Sequence, residues 1–387
     1  MNKTSTLKKR EKRDASAVYA FVKKNPVLTI AAILALVTSF IVPPDREYLS
    51  YIDYRTITCL FCTLSVICAL KEIKFFYVCA ERIVSLAKNL RLATVSLVYI
   101  TFIGSMLIAN DMALITFLPL GYIVLKCTNS EKYTAYVFIL QNIAANLGGM
   151  LTPFGNPQNL YLYSYFSIPA GEFVGAMFPP FLLAVILITI ACLAVPDSPI
   201  SFFGEREKMP AGRLAVYLAL FALSILVVFR GIPYVIGLIV IPVALLIIDK
   251  KALRGVDYGL LFTFVCFFIF SGNMARIPAV SALMQPLVGG NAKSELVTAA
   301  LSCQFISNVP SAILLSRFAK SWKPLLYGVN IGGCGTIISS LASLITFRTY
   351  MPHSSEHGGS AGGYMKLFSA LNFAFLGVLL LFCLILV

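Results

Sequence analysis

Apolar runs long enough to cross hydrocarbon recur along the whole chain between short polar links, and this alternation predicts an all-α polytopic membrane protein. Residues 26–42 read as a first span, 55–70 as a second, and 71–91 as an amphipathic helix lying at the interface. The runs 92–109 and 112–125 are separated only by Asn110 and Asp111. Two full spans would need a surface loop there, so the pattern predicts a re-entrant hairpin turning near mid-membrane. The arms 294–307 and 311–318 around Ser307-Asn308-Val309-Pro310 predict a second one. Runs 171–195, 214–229, 233–248, 258–274 and 366–387 read as the remaining spans.

Residues 146–159 break the apolar pattern with Gly148, Gly149 and Gly155, Pro153 and Pro157, and Asn146, Asn156, Gln158 and Asn159. Such a stretch is a poor continuous helix and a poor lipid-facing surface. At membrane depth it is tolerated only where protein or a watery cavity covers it, so a broken helix lining a solute site is expected. Residues 330–336, Asn330-Ile-Gly-Gly-Cys-Gly-Thr336, predict a second broken helix. Asp53 and Asp257, Asn110 and Asn308, Asn146 and Asn330 recur in the same order but in opposite membrane orientation, the pattern of an inverted-repeat transporter. The resulting partition is a basic cytoplasmic tail at 1–25, a first span plus repeat 1 at 26–195, a cytoplasmic seam at 196–213, linking spans at 214–256 and repeat 2 at 257–387.

Composition narrows the alternatives. The chain is 59% hydrophobic and 12% charged, which leaves no segment polar enough for a soluble catalytic domain. Its net charge of +14 suggests nucleic acid until the charges are placed: they crowd the first 24 residues and the short links on one side, which is the positive-inside pattern. This predicts a cytoplasmic amino terminus, an uncleaved first span, contact with the lipid bilayer and no nucleic-acid partner. Cys59-Leu-Phe-Cys62 lies inside an apolar run, where cysteine serves as a small packing residue. His353-Ser-Ser-Glu-His357 matches a zinc-peptidase string, but Pro352 before it and the glycine-rich run after it argue against the helix that zinc binding requires.

The stretches 105–119 (SMLIANDMALITFLP), 145–159 (ANLGGMLTPFGNPQN) and 307–310 (SNVP) resemble the ion transporter superfamily, which includes citrate-transporter-like permeases, arsenite permeases, sodium/proton antiporters and divalent anion/sodium symporters. The resemblance covers the chain from about Asp53 onward. It implies a scaffold part and a transport part moving in an elevator-like way, with substrate and ions held at the two hairpin tips. Carried onto this sequence, the first tip is Ala109, Asn110 and Asp111 with Thr152, Gly155, Asn156 and Asn159 from the first break. The second tip is Ser307, Asn308 and Val309 with Asn330 and Thr336 from the second break. Sodium as coupling ion would sit at Asn110, Asp111, Thr152 and Asn156, and at Ser307 and Asn308; no other cofactor is implied. The symporters carry Ser-Asn-Thr at both tips, whereas this chain has Ala-Asn-Asp and Ser-Asn-Val.

Each of these asparagines taken singly reads as a cap or turn residue. Two polar tips with two glycine-rich breaks shift the reading to a binding site. Asp111 stands apart, because a carboxylate at mid-membrane costs on the order of 3 kcal/mol unless neutralised or solvated. It binds a cation, carries a proton or caps the second arm. The expected function is plasma-membrane secondary transport of a small anion, an organic di- or tricarboxylate, coupled to sodium or protons; a homodimer is compatible. The alternative is sodium/proton antiport or arsenite-type efflux. A channel is disfavoured by paired broken helices, and an enzyme by the lack of a Walker A string, a metal cluster or a serine nucleophile motif.

Overall fold

Backbone donors without water must be satisfied inside the segment that carries them. In the computed structural model, which describes residues 22, 25–200, 209–354 and 359–387, the chain meets this demand with helices; one isolated antiparallel bridge joins Asn89 and Pro199. In chain order these are α1 (Pro26–Ile41), α2 (Tyr48–Tyr51), α3 (Tyr54–Glu72), α4 (Phe75–Val84), α5 (Leu90–Ile108), α6 (Asn110–Cys127), α7 (Thr134–Gly148), α8 (Pro157–Tyr165), α9 (Ala170–Leu193) and α10 (Ala211–Val228). There follow α11 (Tyr234–Ile248), α12 (Lys250–Arg254), α13 (Tyr258–Arg276), α14 (Pro278–Val288), α15 (Ala292–Ile306), α16 (Asn308–Ser316), α17 (Trp322–Ile331), α18 (Leu341–Ser354) and α19 (Ala361–Leu386). Of these, α3, α5, α6, α9, α10, α13 and α19 are long and apolar enough to cross a membrane, which makes the chain a polytopic membrane protein.

The boundaries follow from capping chemistry. The Asp53 and Asp257 carboxylates accept the backbone N–H of Thr56 at 3.0 Å and of Leu260 at 2.9 Å, so the two Asp-Tyr landmarks are helix N-caps. Asn89 and Asn291 do the same for α5 and α15, accepting from Leu92 at 2.7 Å and Ser294 at 2.8 Å. The expected interfacial helix over 71–91 is shorter than its pattern, because Lys74 adopts φ 54° and separates α3 from α4. Helix α14 escapes the span pattern: it is short, opens on Pro278 and stops at Gly289-Gly290. Helix α18 runs through Pro352 to Ser354, so His353 is helical despite that proline, and it stacks on Tyr122 at 3.7 Å. Glu356, His357, the basic run at 1–21 and 23–24, and Glu205 to Lys208 lie outside the described residues.

The chain divides into two units. The smaller comprises the described part of Met1–Ile52 with Asp257–Ser281, where α1 packs along α13. Buried Asn273 donates to Thr38 and Ser39 at 3.3 and 3.4 Å, and Gly272 leaves room for the Tyr51 ring, which any Cβ would strike. Arg276 pairs with Asp45 at 2.8 Å and Glu47 at 3.5 Å and donates to the Tyr51 hydroxyl at 2.9 Å. The Arg276 hydrogen bond holds the Asp45 carboxyl below the usual carboxylate range.

The larger unit is Asp53–Val256 with Ala282–Val387. Helix α3 lies at its centre with 72% of its apolar window buried, against 28% for α10 and α19, whose outward Leu226, Leu381 and Ile385 form an apolar rim suited to lipid. Cys59 and Cys62 are buried and free inside α3. Arg230 donates to the Tyr163 and Ser167 carbonyls at 2.7 and 3.1 Å and lies over the Tyr163 ring. The pair α5/α6 packs on α7, and the pair α15/α16 packs on α17. The second arms then cross over: α6 packs on α18 and α16 packs on α8.

Candidate functional site

Each helix pair turns on a single residue, Ala109 at φ 65° and ψ 150° and Ser307 at φ 72° and ψ 158°, a positive-φ conformation that costs a non-glycine residue about 1–3 kcal/mol. In both tips the following asparagine folds back: Asn110 Oδ1 accepts from Asp111 N and Asn308 Oδ1 from Val309 N, each at 2.9 Å. Each break is fastened to its own pair by a threonine. Thr152 Oγ1 donates to the Met106 carbonyl at 2.8 Å, and Thr336 Oγ1 to the Gln304 carbonyl at 2.9 Å. The close approach requires glycine at two points: a Cβ on Gly148 would enter the Phe102 carbonyl, and Gly335 sits at φ 125° against Gln304.

The breaks also hold each other. Asn146 Nδ2 donates to Ser340 Oγ at 3.1 Å, and in the reciprocal contact Asn330 Nδ2 donates to Asn159 Oδ1 at 2.6 Å. Asn110 Nδ2 reaches Asn146 Oδ1 at 3.0 Å, tying the first tip to the first break. At the second tip Asn308 N donates to the Ser339 carbonyl at 2.9 Å. A Cβ built on Gly333 would lie 3.3 Å from Asn308 Nδ2 and 3.6 Å from Asn146 Oδ1, so the second tip and the first break converge there. Asn159 additionally donates to the Gly149 and Met150 carbonyls, and Gly155 packs its backbone against Gly149. The structure therefore gathers Asn110, Asn156, Asn159, Asn308 and Asn330 into one buried polar hub, none more than 4% exposed. Asp111, Thr152, Ser307, Val309 and Thr336 stand at its partly exposed edge.

Chemically, the amino ends of α6, α8, α16 and α18 and the carboxyl ends of α5, α7, α15 and α17 all meet at the hub. Amino ends present N–H groups and favour anions; carboxyl ends present carbonyls and favour cations. The hub side chains named above include no lysine or arginine, so anion binding here rests on backbone dipoles. Asn156 Oδ1 is buried without a hydrogen-bond partner, an oxygen of the kind a hard cation takes. Among the described residues no group of three or more His, Cys, Asp or Glu could hold a metal ion.

Sequence reasoning missed Ser340, Ser343, Asn142 and Gln304. Asn142 donates to Ser343 at 3.3 Å, while Gln304 Nε2 donates to the Gly332 and Cys334 carbonyls and its Oε1 accepts from Thr336 N. The signal was present: superposing Asn146 on Asn330 also superposes Thr152 on Thr336, Asn156 on Ser340 and Asn159 on Ser343. A separate cavity of about 330 Å³ opens beside α6 one turn beyond Asp111, lined by Lys71, Lys74, Tyr77, Ile115, Thr116 and Pro119. Pro119 has no N–H to give the Ile115 carbonyl, which leaves an acceptor on that wall.

A membrane-embedded helical protein with two repeated helix pairs and two interlocked broken helices falls in the class of polytopic transporters. The citrate transporter family model matches residues 18–327, and the chain belongs to that family. It is 34% identical over 319 residues to an uncharacterized transporter of Methanocaldococcus jannaschii, covering 82% of this chain and 86% of the relative. It is 25% identical over 315 residues to the inner membrane protein YbiR of Escherichia coli, covering 80% and 84%.

Proposed function

We propose that the protein is a secondary active transporter of a small organic di- or tricarboxylate, coupled to a sodium or proton gradient across the plasma membrane. The observation that carries this reading is the crosswise hub, where four helix amino ends face four carboxyl ends around Asn146, Asn330 and the orphaned Asn156 oxygen. An anion would take the N–H groups of the tips, and a cation the carbonyls with Asn156 Oδ1, so each ligand neutralises the other. In this reading α5/α6 and α15/α16 are re-entrant hairpins in inverted repeats. The burial of the Asn110 side chain against Asn146 supports this reading for α5/α6. Elevator-like movement of the hairpins, a cytoplasmic amino terminus and a cytoplasmic position for Lys71 and Lys74 complete the reading. The name of the family and the word transporter in a relative's name support it.

A second reading, sodium/proton antiport or metalloid efflux, is favoured by Asp111, a carboxylate in the first turn of α6 where the symporter pattern has none. Flux in proteoliposomes separates the two. Labelled citrate, succinate and arsenite are offered under sodium and proton gradients imposed separately, with internal pH recorded. The proposal expects saturable citrate or succinate uptake that stops when one gradient is collapsed. Sodium-driven proton movement with no anion uptake would overturn it.

A further inference from the structure

Glu295 lies in the first turn of α15, the leading arm of the second helix pair, and is 3% exposed. Its Oε1 is buried with no hydrogen-bond partner. The carboxyl falls on the same buried stripe as Leu296, Ala299, Ala300, Cys303 and Gln304. That stripe is sealed by α17 at Gly328, where a Cβ would lie 2.6 Å from the Leu296 carbonyl and 2.5 Å from the Ala299 methyl.

Charged and titratable neighbours are few on every element packed against α15. Its own turn carries Lys293, which is exposed, and Cys303 lies two turns further on. Helices α14 and α16 carry none, and the link after α17 adds only Cys334. Helix α17 brings Lys323, whose Nζ lies 5.7 Å over the Tyr327 ring, and Tyr327, whose hydroxyl donates to the Ala176 carbonyl. Helix α19 brings Tyr364, Lys366 and Cys383. Among the described residues none of these forms an ion pair or hydrogen bond with Glu295. The Glu295 Oε1 buried in this way has neither a hydrogen-bond partner nor a cation to compensate a charge, which is the arrangement that favours the protonated form.

The same rigid arm reaches the hub. Nine residues along α15, Gln304 grips the Gly332 and Cys334 carbonyls and the Thr336 N–H, and Ser307 forms the tip. Any displacement of α15 on α17 that admits water to Glu295 is therefore transmitted to the second break. We propose that Glu295 is a proton-binding site of the second helix pair: its carboxylic O–H stays intact while α15 is seated on α17, and ionises to water, leaving the carboxylate, when α15 moves away. This rests on the transport reading for its coupling role, but the protonation itself is a property of the folded protein.

The test uses Glu295→Gln, which keeps the shape and removes the titration, in full-length protein reconstituted in nanodiscs and in liposomes. Infrared difference spectra at neutral pH should show a protonated-carboxyl stretch in the wild type that is missing in the variant; its absence from the wild type would overturn the proposal. Wild-type citrate or succinate uptake should change by up to about tenfold per pH unit on its steepest limb, and the variant should flatten that slope. Superimposable pH profiles would remove Glu295 from coupling. If the wild type transports no anion, the carboxylate-transport reading fails and the infrared result still decides the proton site. Should Glu295→Gln fail to fold, Glu295→Met serves in the same spectra.

Discussion

The reciprocal contact between the two breaks predicts a specific energetic coupling. Asn330→Ala removes the donor that reaches Asn159 Oδ1 at 2.6 Å and leaves that oxygen in a side chain with 0% exposure. An orphaned buried acceptor costs about 1–3 kcal/mol. The 3.5 Å contact from Asn156 is at the limit of a hydrogen bond and adds little, and the bond to the Leu326 carbonyl is local to α17. The single variant should therefore lose about 2 kcal/mol. Asn159→Ala loses the same bond and also strips donors from the Gly149 and Met150 carbonyls, so about 3 kcal/mol is expected. Because one bond is counted in both, the double variant should fall short of the sum by about 1 kcal/mol, within the range for interhelical hydrogen bonds in membranes. Equilibrium unfolding in mixed micelles measures the cycle. Additivity to within about 0.3 kcal/mol would mean the two breaks are not held through this pair.

Asp111→Asn should reduce gradient-driven uptake by roughly two orders of magnitude, the scale of a lost charge-assisted contact, at unchanged expression; an unaltered response to sodium and pH would discard that role. Reversing both charges with Lys71→Glu and Lys74→Glu should raise the KM for a carboxylate presented on the cytoplasmic side by roughly tenfold at low salt and much less at high salt. A KM insensitive to the reversal would exclude the cavity from the anion's path. Asp45 supplies a pH prediction whose sign is fixed by its bond to Arg276. A carboxyl held below its ordinary value contributes stability above that value and loses it as pH falls through the lowered one, so Asp45→Asn should flatten the acid limb of thermal stability below about pH 4. An acid limb identical in both proteins would show that the pair adds nothing.

Much of this site was legible because membrane sequences penalise polarity. Asn110, Asn308, Asn146 and Asn330 stand out since each interrupts a run that hydrocarbon would otherwise fill. Ser340 and Ser343 did not, because a serine hydroxyl can satisfy itself on nearby backbone and leaves no local conflict to notice. Gln304 was hidden inside an arm read only as apolar, and Glu295 looked like an ordinary acid in the first turn of a helix, where the dipole favours it. What distinguishes Glu295 is its burial with an unpartnered carboxyl oxygen on the face of α15 that packs against α17, a fact that no spacing along the chain contains.

The crossing of the second arms explains why the two repeats are read together. If each helix pair had packed only on its own broken helix, every hub bond would lie inside one repeat, and the repeats could separate without exposing a polar group. Instead α6 lies on α18, α16 lies on α8, and the side chains of Asn146 and Asn330 each reach into the other repeat. Moving one helix pair together with its break would part Asn146 from Ser340 and Asn330 from Asn159 and so orphan acceptors in both breaks, at about 1–3 kcal/mol apiece. Displacing the hub as one body leaves those bonds intact and places the strain at its outer contacts. The α15 interface with α17 lies within one half of the hub, where Gln304 of α15 holds the Gly332 and Cys334 carbonyls just beyond α17. A movement of α15 on α17 is felt at the second break through Gln304, which is the arrangement in which binding and Glu295 protonation are coupled while the Asn330–Asn159 bond survives.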